Sequence, residues 1–395
     1  MTRAGETERE RLHETFAALC RIESPSGRER GCADWLTREL TAMGLEVKED
    51  GAGSTVGADA GNLYTRIPGA AERSGEPPGP HILFCAHMDT VPLGGPVEPV
   101  LVDGAWENVN EGILGADNKS AVAIFTELAR HYTDGPVPPI GLEFVFTISE
   151  ETSLGGSAEF DTGRLRSAYG FVFDQATPIG GVIVASPTHY RIIARLRGRA
   201  AHAGVRPEAG RSAIVAAARG IAAMDLGRLD EQTTANVGMI HGGSAINVVP
   251  EHCEVVAEVR SIDDGRAAAV TTELIDHLQD AADAGECDLD LSVERMFQGY
   301  RHAAGAAQVA IAERALSACG YTPERIVSGG ASDVNSFMVD RLASVCLADG
   351  VQANHTSDER VSAQALEDML DVALTIVEES ARELSGGGER GEGAR

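Results

Sequence analysis

The sequence predicts an α/β protein: a larger domain on a mostly parallel central sheet, into which a smaller α+β domain is inserted. Three observations lead there. From residue 81 to 174 short apolar strands alternate with helical segments, the order that builds parallel sheets covered on both faces. Between residues 187 and 297 the strands instead alternate apolar with polar positions, and apolar strands and helices resume after 297. A chain of 395 residues is also long for one core, and ordinary domain sizes favour two. The expected larger domain is therefore residues 1–186 with 298–395, and the expected insertion is 187–297.

The elements come in order. "ETERERLHETFAALC" and "ERGCADWLTRELTAMG" carry apolar residues at three- and four-residue spacing, the second closing at Gly44, which predicts two helices. The loop "PGAAERSGEPPGP" leads into the strand "HILFCA"; then come the helix "SAVAIFTELARHY" and the strands "GLEFVFTIS" and "AYGFVFD". In the insertion "THYRIIARLRG", "TTANVGMIHGG", "CEVVAEVRSI" and "CDLDLSVERM" read as strands. The small-residue helix "EAGRSAIVAAARGIAAM" and the helix "GRAAAVTTELIDHLQDAA" accompany them, a split α+β unit with helices on one face. The helix "AAQVAIAERALSACG", the strand "SVCLADG" and the helix "AQALEDMLDVALTIVEESAREL" complete the larger domain. The tail, 385–395, lacks apolar residues and is expected to be disordered.

A formal charge of −27 argues against nucleic acid and anionic membranes as partners, because both need a positive surface. The first twenty residues hold no apolar segment of signal-peptide length, nor does any later stretch reach the roughly 20 apolar residues of a membrane helix; a cytoplasmic location is expected. Seven scattered cysteines without a C-x-x-C pair indicate neither a disulfide framework nor a thiolate metal site. Any metal must then be held by His, Asp and Glu.

Such residues gather at strand ends. His87 and Asp89 in "HMDT" stand two apart and project from one face, the arrangement of a metal-ligating histidine backed by a carboxylate. Asp117 in "GILGADNKSAVA" precedes a helix; Glu150 and Glu151 in "FTISEETSLGG", Asp174 in "FVFDQA" and His355 in "QANHTSDE" come after strands. Taken singly each has an ordinary reading: an N-cap for Asp117, solvated acids for the Glu pair, turn chemistry for the others. In open α/β sheets, however, the carboxyl ends of strands form the binding crevice. Two histidines and three carboxylates suit a pair of zinc-like ions, with one further carboxylate left as a base.

"HMDTVP", "GILGADNKSAVA", "SEET", "FDQA", "AHAG", "GMIHGGSAINVVPEHCEVVAEVRSID", "GGASDVNSF" and "NHTSDERVS" together resemble the peptidase T-like branch of the dinuclear zinc aminopeptidase, carboxypeptidase and aminoacylase family. Their order and spacing match from about residue 10 to 385. The resemblance implies two zinc ions per chain, with cobalt or manganese as substitutes. His87 and Asp174 would hold one, Glu151 and His355 the other, and Asp117 both. Asp89 would orient His87, Glu150 would be the general base, and His202 in "AHAG" would reach the oxyanion. Arg260 and Asn247 would hold the substrate, although for Arg260 a surface ion pair is the competing reading. The Asp117–Asn118 peptide is expected in cis. Where relatives often carry a second acid, this chain has Asn118, which lowers the charge of the metal shell. Lys119 is one of only two lysines, a sign that its identity matters.

Those roles imply hydrolysis of an amide bond in short peptides, tripeptide aminopeptidase-like, by a zinc-bound hydroxide with Glu150 as base. The alternative within enzymes is an aminoacylase or carboxypeptidase-type amidohydrolase acting on N-acyl amino acids or dipeptides. The alternative outside enzymes is a metal-free binding homologue, which should lack a ligand or the base. The resemblance further implies a homodimer formed through the inserted lid domain.

Overall fold

The computed structural model describes residues 2–386. Two compact units make up the chain: one contains the described residues up to Val184, His302–Val327 and those from Ser332 onward, the other Ala185–Arg301 with Ser328–Ala331. The short 328–331 segment thus falls to the smaller unit, although the sequence assigns it to the larger. Of the tail expected to be disordered, residues 385 and 386 belong to the helix Ala363–Gly386, while 387–395 lie outside the described residues.

The larger unit is built on a sheet of order Lys48–Glu49, Leu63–Ile67, Gly141–Thr147, His81–His87, Ser167–Gln175, Ala343–Ala348, Gly181–Ser186. Its central pairings are parallel and its flanking ones antiparallel, so the mostly parallel sheet read from the sequence is present. His81–His87 and Gly141–Thr147 are buried at every position, as expected of strands covered on both faces. Phe84 sits at the centre, with ring centroids of Phe125, Phe144, Phe171 and Phe173 at 5.1, 6.0, 5.9 and 6.5 Å. Burying each ring contributes roughly 1.5–3 kcal/mol, which anchors the strands whose ends carry the candidate site.

Two features differ from expectation. The helix Ala116–Asp134 begins four residues earlier than its apolar pattern, with non-helical backbone at Asp117 (ψ 103°) and Asn118 (φ −118°), while the Asp117–Asn118 peptide is cis as expected. A further antiparallel sheet joins Pro99–Val102, Ala105–Asn108, Arg360–Ser362 and Val351–Gln352. Its strands are only two to four residues long, too short for period-two alternation to register. The loop that carries His355 spans two of them.

The smaller unit is a five-stranded antiparallel sheet of order Gly227–Asp230, Thr233–Gly242, His252–Ser261, Thr188–Arg197, Asp288–Phe297. The Gly227–Asp230 strand escaped the sequence, again because it has four residues. Ile192, Ala194, Val255, Ala257 and Val259 form one core with Ala213, Ala217, Val270, Leu274 and Leu278 of the helices Ala213–Ala223 and Asp264–Ala284. A Cβ at Gly220 would stand 3.2 Å from His277 O and 3.3 Å from Leu278 Cα, so small residues let these two helices approach. Among the described residues no helix is long and apolar enough to cross a membrane.

Candidate metal centre

The parallel strands end together and carry four of the predicted residues, which meet Asp117 at the start of the helix Ala116–Asp134 and His355 of the 353–359 loop in one cluster. His87 closes His81–His87, Glu150 and Glu151 come after Gly141–Thr147, and Asp174 lies near the end of Ser167–Gln175. His87 Nε2 stands 3.2 Å from Asp117 Oδ1 and 3.3 Å from Asp174 Oδ1. His355 Nε2 stands 3.3 Å from Asp117 Oδ2 and 2.8 Å from Glu151 Oε1. The two oxygens of Asp117 therefore face two different histidines. Three overlapping sets offer donor atoms within 4.8 Å of one another: His87, Asp117 and Asp174; Asp117, Glu151 and His355; His87, Glu150 and Glu151.

The donor set suits divalent cations. It consists of imidazole and carboxylate, the ligands of zinc, cobalt and manganese sites. His87 Nδ1 donates to the backbone carbonyl of Asp89 at 2.9 Å, which aims Nε2 at the acids as the nitrogen that would ligate a metal in place of its proton. The residues present fit a pair of such ions.

The orienting role expected of the Asp89 side chain is shared differently. Its Oδ1 lies 3.5 Å from His87 Nδ1, a longer contact than the one the Asp89 backbone carbonyl makes. The same carboxylate accepts the amide N–H groups of Glu150 and Glu151 at 3.0 and 3.2 Å and the Ser26 hydroxyl at 2.6 Å. The backbone of Asp89 thus holds the histidine, and its side chain holds the loop that presents both glutamates.

Electrostatics reflect burial and charge density. Burial first, then the Asp174 charge, raises the Glu150 carboxyl well above the ordinary range. Burial likewise raises Asp174, against the opposing charge of His87. Hydrogen bonds to Asp117 and Glu151 push His355 up to about 10. Burial opposes ionisation of Asp117, yet hydrogen bonds from His355 and His87 hold it well below the carboxylate range. Strong perturbation of several acids at one strand edge is what a functional site needs.

Several supporting residues were invisible in the sequence. Glu29 is buried, and its Oε1 accepts the amides of Gly27 and Ser149 at 2.8 and 3.1 Å; Ser149 has a positive φ of 52°. Glu359, within "NHTSDERVS", accepts the amides of Gly115, Ala116 and Asp117. Asp349 is buried beside Ser120, whose hydroxyl is 3.4 Å from its Oδ2, and burial with the Asp117 charge pushes it up to about 8. Nothing in the pattern of these acids separates them from solvated ones. Lys119 did carry a signal: it is 1% exposed, and its Nζ donates to Ser24 Oγ at 2.5 Å and Met88 O at 2.9 Å.

The other three predicted residues belong to the smaller unit. His202 is exposed, its Nδ1 accepts the amide of Gly204 at 3.2 Å, and it bridges to Val248. Asn247 is exposed, and its carbonyl accepts the amide of Ala203 at 2.9 Å. Arg260 is engaged within its own unit: Nη2 lies 3.1 Å from Glu258 Oε2, Nη1 3.3 Å from Gly329 O, and the guanidinium 5.9 Å from the Phe297 ring. A ligand carboxylate would compete there with Glu258.

Comparison with known proteins gives two family matches: a peptidase dimerisation domain, of the M20 type, over residues 189–286, and peptidase family M28 over residues 62–179. The two name different families, and relatives matching nearly the whole chain decide between them. The crystal structure of aminopeptidase PepT from Bacillus cereus ATCC 10987 is 34% identical, with a TM-score of 0.85, covering 94% of this chain and 99% of that one. A tripeptidase structure from Staphylococcus aureus subsp. aureus Mu50 is 32% identical, with a TM-score of 0.89, covering 95% and 99%. The uncharacterized protein YqjE of Bacillus subtilis (strain 168) is 33% identical over 94% of this chain and 99% of its own length.

Proposed function

Since the chain belongs to the peptidase T-like branch of the M20 metallopeptidases, we propose that it is a dinuclear zinc enzyme that removes the N-terminal residue of tripeptides and other short peptides. One observation carries the reading: Asp117 turns one oxygen toward His87 and Asp174 and the other toward His355 and Glu151, and Glu150 remains beside both groups. His87 and Asp174 would hold one ion and Glu151 and His355 the other, with Asp117 available to both. Ions held there supply a Lewis acid for the amide carbonyl and lower the pKa of water toward neutrality.

The chain's own residues do the rest. Glu150 is buried to 9% exposure and takes a proton from the attacking water, then delivers it to the leaving amine. A base whose affinity for protons has been raised by burial is suited to that shuttle. Asp89 keeps Glu150 in place by its grip on the amide beside it. His202, Asn247 and Arg260 are the candidates for oxyanion and substrate contacts, the last once a substrate carboxylate displaces Glu258.

A hydrolysis screen of the purified protein with added zinc, cobalt or manganese, against tripeptides, dipeptides and N-acyl amino acids, tests the proposal. Tripeptides should be cleaved fastest at the first bond. Preference for N-acyl amino acids, or for substrates with a blocked amine, would replace the aminopeptidase reading by an aminoacylase or carboxypeptidase one.

A further inference from the structure

Asp117 can be shared between two ions only if something holds its backbone, because the turn that bears it is neither helix nor strand. Gly115 has φ 78° and Asp117 has ψ 103°, and their amide N–H groups open a helix, where the first donors have no intrahelical acceptor. One carboxylate from a distant part of the chain takes all three: Glu359 Oε2 accepts Gly115 N at 2.5 Å and Ala116 N at 3.1 Å, and Oε1 accepts Asp117 N at 3.1 Å. Glu359 is 2% exposed, so water does not replace it. The same short segment carries His355 and Asn354, whose Nδ2 donates to Asp117 Oδ2 at 2.8 Å. Asp117 is gripped at its backbone and at its carboxylate from one stretch of chain, and that stretch also supplies a histidine of the cluster.

Resting on the two-ion reading, we propose that Glu359 is a positioning residue for the shared carboxylate, and that the 354–359 segment acts through Asp117 on both ions. The chemistry is specific to a carboxylate. Three N–H donors converge on two oxygens, so a glutamine would turn an NH2 toward an N–H, and an aspartate is one methylene too short to span all three.

The experiment is titration of the metal-free protein with zinc or cobalt against a competing chelator, with the cobalt absorption spectrum and the thermal midpoint recorded before and after loading. Glu359→Gln should weaken both ions by about 10- to 100-fold, the range for residues that hold a metal ligand in place, and shrink the rise in midpoint on loading. Asn354→Ala, at a half-buried position and therefore safe for folding, should weaken both to a smaller extent. His355→Ala, the comparison, should weaken one ion only. Wild-type affinity in both Glu359→Gln and Asn354→Ala would overturn the inference while leaving the two-ion reading standing, as would a fall in midpoint that is equal with and without metal. Failure of the unaltered chain to take up any ion would overturn both.

Discussion

The Asp89 carboxylate accepts the amide N–H of Glu150 at 3.0 Å, so the residue two positions beyond the candidate ligand His87 reaches across to the adjacent strand end and holds the candidate base. The sequence suggests instead that Asp89 serves His87. We expect Asp89→Asn to lower kcat by about 10- to 100-fold while the ion at His87 is retained, because the His87 ring is held by a backbone carbonyl that the substitution leaves in place. Metal content measured alongside kcat decides it; loss of that ion before loss of rate would assign the side chain to His87 after all.

Removal of metal should abolish activity, and its return should restore it. The protein is expected to bind about two divalent ions per chain, given the two histidines and three carboxylates in two linked sets. Elemental analysis after desalting measures this. A content near zero, with no gain on adding zinc, cobalt or manganese, is incompatible with the proposed chemistry.

Glu150→Gln and Glu151→Gln should fail in different ways although the residues are neighbours. The first removes a proton carrier and should cut the rate by at least about a hundredfold with both ions bound. The second removes a group 2.8 Å from His355 Nε2 and should weaken one ion. The roles are reversed if Glu150→Gln loses metal and Glu151→Gln keeps it.

Lys119→Met should lower stability. Its ammonium donates to both Ser24 Oγ and the Met88 carbonyl beside the His87 strand end, which are also bonded to each other at 2.8 Å, and loss of the two donations should cost about 1–3 kcal/mol in all. Chemical denaturation measures the change. An unaltered midpoint would mean that the lysine fills space and nothing more.

His202 is expected to complete the site of the partner chain in a homodimer. The motivation is the match of residues 189–286 to a peptidase dimerisation domain. Mixing inactive His202→Ala chains with inactive Glu150→Ala chains distinguishes the possibilities: if His202 acts across the interface, one site of each mixed dimer has both residues and activity returns. No recovery after verified subunit exchange would place His202 in its own chain's site.

The candidate cluster was legible because strand ends are legible. His87, Glu150, Glu151 and Asp174 each interrupt or succeed an apolar run that could only be a buried strand, and parallel strands must end on one side. Asp117 and His355 were harder, since one begins a broken helix and the other lies between strands of two and three residues; position made them candidates, and their place in the family's ordered motifs set them apart from an N-cap and a turn residue.

The sequence by itself determined the fold class and the family, and named the candidate ligands, because burial periodicity, residue type and motif order are local properties. Tertiary structure alone decided which carboxylates serve the ligands. Glu29 and Glu359 look like solvated acids in loops, and Asp89 like the partner of its neighbour. Their roles depend on amide N–H groups left unpaired by turns at Gly115–Asp117 and Ser149–Glu151. A buried N–H must find an acceptor, and which acceptor arrives is settled by folding residues together that stand up to 244 apart in the chain.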